Sequence, residues 1–160
     1  MSEPTPAGLS LRALLNEAFH GGHADHTWFL NPGDPGFIDF CRNVTAEEAS
    51  TPPGAGRQTI AAHTRHIVYH LELISRILGG EQNAFQTADW TEAWKHPDVT
   101  TEEWHALLDH LSTLADQWID GSQFVPNEHG IMLTGSMGSA VHFGYHLGSI
   151  RQILLQVRGK

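Results

Sequence analysis

The sequence holds one cysteine, Cys41, in 160 residues, so it can form neither an internal disulfide nor a thiolate cluster for zinc. Any metal site must therefore use imidazole or carboxylate. Basic residues are also scarce: 9 Lys and Arg stand against 18 Asp and Glu, a formal net charge of −9. A chain of that sign lacks the counterion-releasing attraction that holds proteins to phosphate backbones, and nucleic acid is not an expected partner. No run approaches the roughly 18 to 20 apolar residues that span a bilayer, and Met1 to Gly8 lack the basic and apolar regions of a signal peptide. The expectation is a cytoplasmic protein with no membrane association.

Apolar residues make up 40% of the chain and charged residues 17%, a composition that can bury a core, and the length suits one domain over residues 1–160. Histidine is in excess, with twelve residues. Excess alone assigns no ligand, so spacing has to decide.

Helical periodicity recurs four times. Leu11, Leu14, Leu15 and Phe19 mark a first helix from about Leu9 to Phe19, ended by Gly21-Gly22. Residues 20–35, with Asn31-Pro32-Gly33-Asp34, read as an ordered loop, followed by a short helix in 36–44 and a capping box at Thr45 to Glu48. Ile60, His63, Ile67, Leu71, Ile74 and Leu78 define a second long helix from roughly Thr59 to Leu78. Residues 81–99 show no sustained period and read as a long crossover, which suits a bundle with parallel neighbours. Thr100 and Glu103 have capping-box spacing and open a third helix, ended by Gly121; a fourth follows Gly135-Ser136 and carries Ala140, Phe143, Leu147, Ile150 and Leu154. The fold class is all-α, a four-helix bundle with the crossover between helices two and three.

On helix four, His142 and His146 are four residues apart, which stacks both imidazoles on one side of the helix. A metal ion needs at least one further ligand, and helix two offers His63, His66 and His70. These three share a broad arc, and not every one need face the same ion. Inward side chains on facing helices commonly build metal sites in bundles, and three histidines leave positions open for water or substrate. The alternative is a polar seam in which the rings only hydrogen-bond to one another.

Thr59-Ile60-Ala61-Ala62-His63-Thr64-Arg65-His66-Ile67 and His142-Phe143-Gly144-Tyr145-His146-Leu147-Gly148-Ser149-Ile150-Arg151-Gln152 resemble the two metal-binding motifs of the DinB/YfiT-like bundles. The Trp and acidic pattern before helix three is similar to that family too, whereas relatives often have a tryptophan where this chain has Gln58 to Ala62. The resemblance implies that His66, His142 and His146 form a facial triad for one divalent transition-metal ion, usually described as nickel or zinc. Imidazole chemistry by itself does not choose among zinc, nickel, iron and copper. The resemblance also implies a homodimer. Some members are metal-dependent transferases or isomerases acting with small thiols, and others have no known activity. Two function classes follow: a metal-dependent enzyme of the thiol-transferase or hydrolase kind acting on a small molecule, or a noncatalytic bundle that binds metal or a partner.

Several other residues have two readings. Arg151 offers a bidentate grip for a substrate carboxylate, or a tie between helices. Tyr145 lies beside the triad. His23, His26 and His129 sit in expected loops, where histidines are usually plain surface residues. The five tryptophans suit a pocket wall beside an ion, but more commonly the core. Glu47-Glu48 and Glu102-Glu103 stand at helix starts, where carboxylates complement the helix dipole.

Overall fold

The computed structural model describes residues 3–22 and 26–160, and His23 lies outside the described residues. Among them are six helices and no strand: α1 (Pro6–His20), α2 (Phe37–Arg42), α3 (Ala46–Ser50), α4 (Ile60–Leu78), α5 (Thr101–Ser122) and α6 (Ile131–Val157), with one 3-10 turn at Glu92–Trp94. The four long helices α1, α4, α5 and α6 are those expected from periodicity.

Caps set most boundaries. The Thr5 hydroxyl accepts the Gly8 N–H, with Pro6 in the first helical turn, so α1 begins before its first apolar repeat. Thr45 with Glu48, and Thr100 with Glu103, form reciprocal capping boxes at α3 and α5. Thr59 caps α4 by accepting the Ala62 N–H. Two boundaries differ from expectation. Helix α5 runs through Gly121 to Ser122; the absent side chain at Gly121 lets Leu78 approach, since an added Cβ would lie 3.2 Å from Leu78 Cδ1. Helix α6 begins at Ile131 rather than after Gly135-Ser136. Its opening turns expose Ile131 and Met132, so no buried stripe marks them, yet the helical ladder is in place from Thr134 N–H to Gly130 C=O.

Side-chain pairs between helices fix the topology. Arg12 meets Asp120 and His20 meets Asp116, so α1 and α5 are antiparallel. Glu72 meets His110 and Leu78 lies on Gly121, so α4 and α5 are parallel, as a long crossover permits. His63 meets His146 and His70 meets Ser139, so α4 and α6 are antiparallel. The core between them contains Leu15, Phe19, Ile67, Leu71, Trp104, Leu111, Phe143, Leu147 and Ile150. Cys41 is buried there, 3.8 Å from the Thr64 hydroxyl, and burial pushes its thiol up to about 12. That thiol is no nucleophile at neutral pH.

Candidate metal centre

Helices α4 and α6 face each other through a ladder of polar contacts. His63 Nδ1 lies 2.7 Å from His146 Nδ1, His66 Nε2 lies 3.0 Å from His142 Nε2, and His70 Nε2 lies 3.0 Å from Ser139 Oγ. Steps of three and four residues on α4 are matched by steps of four and three on α6, the register that two antiparallel helices share. Five imidazoles therefore occupy one seam.

Within it, His66, His142 and His146 each offer a ligand atom, and these atoms lie within 4.8 Å of one another. Nitrogens bound to one ion at about 2.0 to 2.2 Å stand no more than about 4.4 Å apart, so small ring movements close the set. The donors are three imidazole nitrogens with no carboxylate among them. That chemistry suits a transition metal and not calcium or magnesium, which prefer oxygen. His66 and His146 are buried and His142 is half-buried. His66 Nδ1 and His70 Nδ1 are buried without a hydrogen-bond partner.

Electrostatics keep the rings neutral, the form that binds metal. Burial lowers His63 to about 4. Burial, with His142 and His63 adding to it, lowers His66 to about 4. Burial and then His142 and His66 lower His70 to about 3, and burial followed by the surrounding histidines lowers His146 to about 2. Burial also lowers His142. Each folded-state value lies below the ordinary 6.5, so the unfolded chain takes up protons that the folded chain refuses. This contribution to stability is fully present above pH 6.5 and is lost as pH falls toward 4. The thermal midpoint of the metal-free protein is therefore expected to drop steadily from pH 7 to pH 5; a flat profile would mean that the rings stay solvated.

The crossover closes over this seam. Trp94 stacks on His66 with ring centroids 4.6 Å apart and meets His63 edge-on at 5.3 Å. Trp90 packs against His66 and His70. The tryptophans thus divide: Trp90 and Trp94 cover the histidines, Trp104 and Trp118 are core residues, and Trp28 is exposed. Beside His63 opens a groove of about 570 Å³ between the loop before α4 and the second half of α6. Arg57, Gln58, Tyr145, Ser149 and Gln152 contribute to its lining, and Arg57 is its one charged residue.

The other candidates are placed elsewhere. Arg151 ties α6 to the loop before α2, donating to the Asp34 carboxylate and the Pro35 carbonyl, so it acts between segments of the chain. His26 and His129 are exposed. The acidic pairs Glu47-Glu48 and Glu102-Glu103 occupy the first turns of α3 and α5. One residue with a large structural role, Glu17, carries no sequence signal, because it looks like an ordinary surface position in α1. It is buried, and its carboxylate accepts the backbone N–H groups of Trp28, Phe29 and Leu30. Phe29 in turn lies 3.7 Å from where a Cβ on Gly144 would project, behind the histidine face of α6.

A family model described as the DinB superfamily matches residues 37–129. The matched segment contains His63, His66, His70 and the crossover, and it stops before α6, so the convergence of His142 and His146 on His66 is an independent observation of geometry. No curated protein and no solved structure gives a match.

Proposed function

Since the chain belongs to the DinB superfamily, we propose that it is a metal-dependent enzyme acting on small molecules, of the thiol-transferase or hydrolase type, with His66, His142 and His146 holding one zinc or nickel ion. The observation that carries this reading is the convergence of three neutral imidazoles from two facing helices. A divalent ion held there supplies Lewis acidity, favouring a thiolate over a thiol, or hydroxide over water, near neutral pH.

The chain's own residues provide the rest. Three protein ligands leave room in a tetrahedral or octahedral shell for a reactant. Trp94 and Trp90 cover one side of the seam and keep bulk water from the rings they touch. The groove beside His63 gives a small molecule an approach, and Arg57 offers it a cationic contact for a carboxylate or similar anion. Cys41, buried with a raised pKa, takes no part.

Elemental analysis of purified protein, followed by turnover assays on thiol conjugates and esters with and without added zinc or nickel, tests the proposal. Stoichiometric metal and metal-dependent turnover that is lost in His66→Ala are expected. Metal binding without turnover on any substrate would favour the noncatalytic bundle, and failure to bind any transition metal would overturn the site itself.

A further inference from the structure

His63 touches the candidate metal centre without belonging to it. Its Nδ1 lies 2.7 Å from His146 Nδ1, yet it is not in the group of ligand atoms that approach one another within 4.8 Å. Two neutral imidazole nitrogens at that distance share one proton, so one ring donates and the other accepts. His66 and His142 meet through their Nε2 atoms. His146 can join them only through the nitrogen that His63 leaves free, its own Nε2. A ring that gives the Nε2 lone pair to an ion carries its proton on Nδ1. His146 is then the donor, His63 Nδ1 is the acceptor, and the proton of His63 resides on Nε2.

We propose that His63 is a positioning residue: by accepting the His146 Nδ1–H, it fixes the tautomer and ring orientation in which His146 Nε2 faces the metal. This rests on the reading of His66, His142 and His146 as ligands. The placement suits the role. His63 lies one turn before His66 on the same helix, so one rigid element sets both a ligand and the support of another. Trp94 packs edge-on against the His63 ring and restricts its rotation. His70 provides a contrast. Ser139 Oγ donates to the Gly135 carbonyl and therefore accepts from His70 Nε2–H, while His70 reaches His142 only by stacking at 4.9 Å. His70 thus holds no nitrogen of the triad.

The test uses the purified full chain with His63→Leu and His63→Asn. Leucine removes the acceptor, whereas asparagine places a carbonyl oxygen close to where Nδ1 stood. Zinc affinity is expected to fall about 10- to 100-fold in His63→Leu, the usual effect of losing an outer-shell partner, and to recover most of that loss in His63→Asn. Heteronuclear NMR of the ring nitrogens supplies a readout that a purely structural role would not move. In wild-type metal-free protein, His146 should be the Nδ1–H tautomer, and it should shift toward the Nε2–H form in His63→Leu while circular dichroism is unchanged. Unaltered zinc affinity in His63→Leu, or the Nε2–H tautomer of His146 in zinc-binding wild-type protein, would overturn the role of His63 alone. X-ray absorption showing four imidazoles on zinc in the wild-type chain and three in His63→Leu would make His63 a ligand and overturn the proposal as well. Absence of zinc binding by the wild-type chain would instead overturn the metal reading on which it rests.

Discussion

Replacing His146 by alanine should weaken binding of zinc or nickel by at least about 100-fold, because losing even an outer-shell partner of a ligand costs about 10- to 100-fold. The reason is geometric. His142 and His146 are one turn apart on α6, and His66 faces them from α4, so the three nitrogens converge without reordering the backbone. With His146 removed, one ligand remains on each helix, and water must replace an imidazole that the helix had already positioned. His26→Ala is the matched control, since His26 is exposed and contributes nothing to the seam. The fold should survive both changes: Phe143, Leu147, Ile150 and Leu154 keep α6 in the core, and a bundle of this size does not need metal to fold as a zinc finger does. Titration of the ion into both variants, with circular dichroism as control, reads the effect. Equal affinities would leave the histidine pair as a packing feature.

Glu17→Ala should destabilise the protein by about 3 kcal/mol, the largest stability loss expected from a single polar side chain here. The carboxylate accepts three successive backbone N–H groups, from Trp28 at 2.7 Å, Phe29 at 3.0 Å and Leu30 at 2.7 Å. Hydrogen bonds to a charged acceptor contribute more than neutral ones, and removing this buried carboxylate leaves three part-buried backbone hydrogen bonds without their acceptor. Glu17→Gln should fall between, because one amide oxygen can serve part of the set while its NH₂ group confronts an N–H. Urea denaturation measures both variants. A loss below about 1 kcal/mol for Glu17→Ala would show that water reaches the freed N–H groups. Zinc affinity should change far less than stability, since Glu17 touches no histidine of the seam.

Much of the molecule is legible from local chemistry. Apolar spacing of three and four gives the four long helices, and the Thr-x-x-Glu pairs at Thr45 and Thr100 give helix starts to the residue. The i, i+4 pair His142 and His146 follows from helical pitch alone, and the aperiodic crossover correctly predicts the parallel run of α4 and α5. Where local signals weaken, legibility weakens with them. The start of α6 is missed because its opening turns bury too little to leave a pattern.

What the sequence determined by itself is therefore the set of helices, their caps and the stock of histidines on α4 and α6. Periodicity left open which of His63, His66 and His70 belongs to a site, because all three lie within one arc of the same helix, and only the resemblance of the two histidine motifs to the DinB/YfiT-like bundles pointed to His66. What only the antiparallel packing of α4 on α6 decides is the contacts across the seam: it sets His66 against His142, His63 behind His146, and His70 on Ser139. Glu17 is the same case, being one acidic residue among many until the chain returns to lay three N–H groups on its carboxylate. Helical pitch relates residues a turn apart along one chain segment, whereas distances between segments are fixed by how buried faces interlock, a property that no short stretch of sequence carries.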